Sequence, residues 1–221
     1  MNKHPGIIGT KLGTTQLFLE DGTMVSCTVI QGGCRVVGKR TQDRDGYDAL
    51  ILGIGERKAK HTTKALRTSF EKVGQKPPRV VREMRTSAEH AAGFEIGQDV
   101  KLEEMFEEGQ LVDVQSQSKG RGFTGVVRRY NMAGATSSHG AHEWTRHGGS
   151  IGTTTTPGRV LKGKKMPGQH GNKTKSVLNQ KVVKIIPEKQ LMLIDGSVPG
   201  APSAIVRVCG AVKKSGGRPK K

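Results

Sequence analysis

Two glycine-rich segments hold residue types that grip phosphate. Gly120-Arg121-Gly122-Phe123-Thr124-Gly125 has the literal G-x-G-x-x-G spacing of a dinucleotide-binding turn, and a strand-like run precedes it. That chemistry requires a complete βαβ unit and an acidic residue about 20 positions on to hold the ribose. The next acid is Glu143, in a Gly- and His-rich segment with no second strand, so the dinucleotide reading fails. Gly158-Arg159-Val160-Leu161-Lys162-Gly163-Lys164 is a near miss to a P-loop, because Lys165 stands where a Ser or Thr must hold magnesium. No buried strand precedes it, and Pro167-Gly168 prevents a long helix after it. What both segments retain is simpler. Glycines let a backbone approach a phosphate chain closely, and Lys119, Arg121, Arg128 and Arg129 can neutralise that chain.

His139, His142, Glu143 and His147 have the types of metal ligands but not the spacing. Structural zinc sites normally include Cys, and none is near in sequence. Histidines on a basic loop serve instead to stack on bases or bond phosphate, as Trp144 can. The bland reading of Trp144 is an anchor that packs the loop on itself. Only one carboxylate occurs among the 74 residues from Val114 to Pro187, which leaves nothing for paired acid–base work. Neither an enzyme, a cofactor, a metal nor a small-molecule substrate is expected. Cys27, Cys34 and Cys209 are odd in number and form no C-x-x-C pair, so they read as half-buried free thiols.

Charge locates the partner. The 221 residues carry 37 Lys plus Arg against 19 Asp plus Glu, a formal +18. Residues 1–115 have a net +1, residues 116–181 a net +11 with Glu143 as the single acid, and residues 182–221 a net +6. A single-sign field of this size faces a polyanion, and by this division its contact surface lies beyond residue 115. No run of about 18 apolar residues exists, so no membrane helix is expected. The N-terminal MNKHPGIIGTKLG lacks the apolar core of a signal peptide, which points to the cytoplasm.

The elements that must position these residues are mostly β. Apolar, β-branched runs at 7–19, 24–31, 34–40 and 47–55, separated by Gly and Asp turns, predict four strands of a small barrel or sandwich. Leu66, Phe70 and Val73 recur at helical spacing, so 62–74 predicts one short amphipathic helix ended by Gly74. Strand-like pieces return at 79–84, 99–106, 111–118, 177–187, 190–196 and 203–212, with Pro187-Glu188-Lys189 as a hairpin turn. Between Lys119 and Thr174 lie 12 glycines and no regular pattern longer than a turn or two, except a short helix over Phe123–Tyr130. A stretch this long without structure inside a domain implies a function. The expected organisation is a globular β-domain of residues 1–118 plus 175–212, a basic loop extension over 119–174, and a basic tail over 213–221.

Several motifs, in order, resemble one family. The opening Gly6-Ile7-Ile8-Gly9-Thr10-Lys11-Leu12-Gly13-Thr14-Thr15 is similar to the start of bacterial large-subunit ribosomal protein L three. Phe106, Asp113, Ser116, Ser118, Gly120-Arg121-Gly122, Gly125 and Arg129 match that family's signature in spacing. Gly149-Ser150-Ile151-Gly152, Thr156-Pro157-Gly158-Arg159 and Lys162 to Gly168 match its central loop, and Val198-Pro199-Gly200 its C-terminal region. The resemblance implies a mainly β fold with a small barrel of the type shared with translation factors. It also implies a long loop that threads into ribosomal RNA, and a structural role in the 50S subunit. The partners it implies are 23S rRNA, bound near its 3′ end early in assembly, and neighbouring large-subunit proteins. The rRNA-binding residues would be Lys119, Arg121, Arg128, Arg129, Trp144, Arg146, His147, Arg159, Lys162, Lys164, Lys165, Lys173 and Lys175. Gly149, Ser150, Gly152, Thr155, Pro157 and Gly158 would lie nearest the peptidyl transferase centre. Some members carry a methylated glutamine where this chain has Thr155, which cannot receive that group. The alternative is a free-standing RNA-binding or chaperone-like protein outside the ribosome.

Overall fold

The computed structural model describes residues 6–213; the expected tail over 213–221 lies outside them except for Lys213. Twelve strands follow in chain order: β1 (Gly6–Phe18), β2 (Met24–Gln31), β3 (Cys34–Arg40), β4 (Ala49–Glu56), β5 (Pro78–Arg85), β6 (Asp99–Val100), β7 (Leu111–Gln117), β8 (Phe123–Thr124), β9 (Gly168–Gln169), β10 (Thr174–Ile186), β11 (Leu191–Asp195) and β12 (Ile205–Gly210). The expected mainly β class is what the molecule adopts.

Six strands pair in the order β1-β12-β7-β10-β11-β2, and β2 pairs back with β1 to close a barrel. Alternation writes the interior. On β7, Val112, Val114 and Ser116 are buried; they sit opposite the buried Gly210, Val208 and Val206 of β12. Side chains of successive strand residues point to opposite faces, so the consecutive burial of Ile7 and Ile8 means that β1 is covered on both sides. Its second cover is another sheet, ordered β5-β4-β3-β6, whose β4 and β5 contact β1. Val36, Leu50, Leu52 and Met84 of that sheet join the barrel's residues in one apolar core.

Three expectations change here. The first four runs do not build one barrel: β1 and β2 enter it, whereas β3 and β4 start the separate sheet. Residues 99–106 are not one strand. Asp99–Val100 pairs with β3, and then a helical turn over Leu102–Met105 takes over. Leu102, Met105 and Phe106 are buried at i, i+3 and i+4, a helical period that β-rich flanks obscure. The helix within 62–74 forms over Lys64–Glu71, but buries no residue; Leu66 is 44% exposed and Val73 43%. Cys27 and Cys34 are fully buried, and Cys209 is half-buried.

Contacts divide the chain into two compact units. One comprises the chain up to Gln117 together with the chain from Thr174, the other Ser118–Lys173. The ends of the first unit's two segments are adjacent strands, with Gln117 opposite Thr174 in the β7–β10 register.

Candidate nucleic-acid interface

The second unit is built on a backbone ladder at its own base. Ser118 N–H donates to the Lys173 carbonyl (2.9 Å), Arg121 N–H to His170 (2.9 Å), and His170 N–H to Gly122 (2.9 Å). Phe123 and Thr124 then pair antiparallel with Gln169 and Gly168. Gly120-Arg121-Gly122 is therefore one rail of a ladder rather than a nucleotide turn. Gly171 faces it at φ +71°, and a Cβ there would collide with the Lys119 carbonyl oxygen. The expected helix over Phe123–Tyr130 is shorter, Val126–Tyr130, because Phe123 and Thr124 are taken by the ladder. Every strand pairing among the described residues is antiparallel, so the parallel βαβ unit that a dinucleotide site needs is not formed by them.

Above the ladder, side chains hold a small anchor. Arg129 is half-buried; its Nη1 donates to the Met166 carbonyl (2.6 Å), and its guanidinium lies 5.0 Å from the Tyr130 ring centroid. Lys165 Nζ stands 5.8 Å from the same ring. Gly168 leaves room for Arg129: a Cβ there would stand 2.7 Å from the guanidinium. Val126 is buried and packs under Gly148. Trp144 and His147 meet edge to face at 4.7 Å on a 3-10 turn over His142–Arg146, yet Trp144 stays 64% exposed. The indole contacts the loop and still offers a face outward.

From His147 to Lys165 no residue is buried or even half-buried. Ile151, Val160 and Leu161 are open to solvent with the rest. Short polar bonds shape this run locally: Ser150 Oγ donates to the Gly152 carbonyl (2.8 Å) and Thr153 Oγ1 to the Thr156 carbonyl (2.7 Å). Gly149, Thr155, Pro157 and Gly158 lie in the same exposed run, and the Thr156–Pro157 bond is cis.

The charge of this unit is uncompensated. Ser118–Lys173 contains ten Lys and Arg and one acid, Glu143. Ion pairs such as Arg35–Asp99 (2.7 Å) and Arg40–Asp45 (2.7 Å) belong to the first unit. Lys119, Arg121, Arg128, Arg146, Arg159, Lys162, Lys164, Lys165 and Lys173 are all exposed, as is Lys175 on β10 of the first unit; Arg129 is the one basic residue of the set turned inward. Among the described residues, no group of three or more His, Cys, Asp or Glu converges to hold a metal.

A second basic concentration escapes the division at residue 115. Residues 57–85 hold ten Lys and Arg against Glu71 and Glu83, a net +8 that acidic neighbours cancel in the longer sum. All ten basic side chains are exposed, around the 64–71 helix and along β5 at the sheet's edge. Arg67–Glu71 (3.4 Å) and Lys76–Glu56 (3.5 Å) offset part of that charge. A running window of about 30 residues, in place of one cut, reveals it.

The sequence pattern of the family described as "Ribosomal protein L3" matches residues 72–191. Over 218 residues, 99% of this chain and 94% of the relative, the chain is 58% identical to "Large ribosomal subunit protein uL3" of Sorangium cellulosum. The chain belongs to the ribosomal protein L3 family. The proteins of the same name from Sulfurihydrogenibium sp. and Myxococcus xanthus are 48% and 44% identical to it. They align over 91% and 94% of this chain, and over 88% and 93% of their own lengths. The L3 pattern spans the whole second unit with β7 before it and β10 after it. The near-complete alignment with relatives extends the likeness to β1–β4, which lie before residue 72.

Proposed function

We infer that this protein is a structural constituent of the large ribosomal subunit that binds 23S rRNA. One observation carries the reading: a unit with ten basic residues and one acid encloses a run, His147–Lys165, that has no protein cover. Apolar side chains left open in such a run call for a packing surface from outside, and its charge calls for a polyanion. Folded RNA supplies both. The relatives' name, a large-subunit ribosomal protein, agrees with that partner.

The chemistry is counterion release and shape. Each Lys or Arg that neutralises a phosphate frees a condensed cation, so affinity falls as salt rises. Lys119, Arg121, Arg128, Arg146, Arg159, Lys162, Lys164, Lys165, Lys173 and Lys175 act in this way. Arg129 acts from within, tying the Met166 carbonyl so that the basic run keeps its path. Trp144 and His147 present ring faces for stacking. The barrel is of the type shared with translation factors, and the protein binds the rRNA near its 3′ end early in assembly, beside other large-subunit proteins. The loop reaches toward the peptidyl transferase centre, with Gly149, Ser150, Gly152, Thr155, Pro157 and Gly158 nearest it. The work is done in the cytoplasm and involves no chemistry of the protein's own.

Deletion of residues 140–165 tests the reading. The expected result is a chain that melts cooperatively like the parent, with 50S particles that assemble poorly or translate slowly. Sedimentation of the full chain free of 50S particles at modest salt would instead favour a free-standing RNA-binding protein.

A further inference from the structure

The longest stretch without a basic residue runs from Leu12 to Cys34, in a chain where one residue in six is Lys or Arg. It takes in β1 from Leu12 on, the turn, all of β2 and the first residue of β3. β1 pairs with β12 only over Gly6–Thr10, and from Gly13 to Phe18 it pairs with β2 alone. β2 pairs with β11 from Cys27 onward, and the Ser26 carbonyl accepts from Gly196 N–H (2.8 Å). Beyond Ser26 the hairpin is a two-stranded ribbon, closed by an ordered turn in which Leu19 N–H donates to Thr23 and Gly22 N–H to Leu19.

The end of this ribbon is apolar and acidic. Phe18 is 69% exposed and faces Met24, 52% exposed, across the last rung. Leu19 adjoins them at 38%, and the only charges are Glu20 and Asp21. Two strands alone are marginal in water, and an uncovered apolar end gives such a ribbon no reason to persist unless something receives it. RNA is the wrong recipient. Carboxylates beside phosphates repel, and no Lys or Arg is present to offset them.

We propose that the β1–β2 hairpin end is a docking element for a basic protein of the same particle, seated in an apolar recess rimmed by Lys or Arg. Phe18, Leu19 and Met24 fill the recess, and Glu20 and Asp21 pair with its rim. Among the described residues, no strand other than β2 pairs with β1 from Thr14 to Phe18, so its other backbone edge can take a strand of that protein. This rests on the ribosomal reading, and it separates two kinds of contact: RNA on the basic elements, protein on this acidic, apolar hairpin end.

A photoreactive benzoylphenylalanine in place of Phe18 tests this within assembled particles. Purified 50S subunits containing the full-length chain are irradiated, and adducts are identified by mass spectrometry. The expected product is a single adduct with one basic protein, lowered at least five-fold by Glu20→Lys with Asp21→Lys. The Phe18→Ser, Met24→Ser double variant should bind isolated 23S rRNA within two-fold of the parent and melt like it. An adduct with 23S rRNA, an adduct with a second copy of this chain, or no adduct from a chain present in the particle overturns the docking proposal alone. A chain absent from the 50S fraction before irradiation overturns the ribosomal reading, and this proposal falls with it.

Discussion

Lys11 and Val198 stand 187 positions apart, and the Lys11 ammonium donates to the Val198 carbonyl at 2.7 Å. The same ammonium reaches the Gly200 carbonyl at 3.2 Å, while Lys11's own backbone bonds to Ala204 (2.9 Å) and accepts from Ser203 (2.7 Å). Lys11 is only 8% exposed. A cation is costly to bury unless it is hydrogen-bonded, and here carbonyls of the loop before β12 supply the bonds. The first strand of the barrel is thus tied to the loop that leads into the last.

Lys11→Met keeps the aliphatic stem and removes the donor. Two carbonyls then lose their partner inside the protein, at a cost of about 1–3 kcal/mol. A lower urea midpoint with unchanged slope is the expected result. An unaltered midpoint would mean that water replaces the ammonium without loss.

His90 predicts a pH dependence. Burial holds its pKa below the ordinary imidazole value, its Nε2 is buried without a hydrogen-bond partner among the described residues, and its ring meets Phe94 edge to face at 5.2 Å. A base whose folded pKa is depressed contributes full stability above its unfolded value, near 6.5, and loses it as pH falls below that value. The melting temperature should drop between about pH 7.5 and pH 5.5, and His90→Phe should flatten that part of the drop. Equal slopes in the two proteins would refute the assignment.

Thiol chemistry probes the core directly. Burial pushes the Cys34 and Cys209 thiols up from their ordinary pKa, and Cys27 and Cys34 are fully enclosed. Thiolate is the reactive form, so an aromatic disulfide reagent at about pH 8 should leave Cys27 and Cys34 unmodified in the native protein. All three should react in urea. Rapid native reaction at Cys34 would contradict the packing of β3.

Gly171→Ala attacks the ladder of the second unit. Both the positive φ and the Lys119 carbonyl oppose a methyl group there. Affinity for 23S rRNA should fall several-fold, while the far-ultraviolet melting curve of the β-rich unit stays in place. Coincident loss of both signals would show that the units do not fold independently.

Lys162→Gln, Lys164→Gln and Lys165→Gln together test the charge mechanism. Each phosphate deprived of its lysine should flatten the plot of log affinity against log salt by about 0.7–0.9. A reduction of about two to three is expected for the three together, measured by filter binding from low to moderate salt. An unchanged slope would remove these lysines from the interface.

Much of the molecule is legible along the chain, because strands, turns and charge are local properties. The alternation on β7 and β12, the turn after Phe18 and the glycine-dense basic stretch each need only neighbours a few positions away. The segment over 99–106 reads falsely as one strand because Leu102, Met105 and Phe106 satisfy a helical period that is too short to stand out. The basic concentration over 57–85 is hidden by Glu and Asp that are close in sequence.

Sequence by itself determined that this protein is mainly β, that one stretch concentrates positive charge, and that its motifs belong with one ribosomal family. Tertiary structure alone decided which strands close a ring, why Ile7 and Ile8 are both inside, and that Lys11 answers Val198. It also decided that Arg129 turns inward while its basic neighbours face out. The reason is physical. Composition and period are written in adjacent residues, whereas register, two-sided burial and a buried cation's partners depend on segments brought together from opposite ends of the chain.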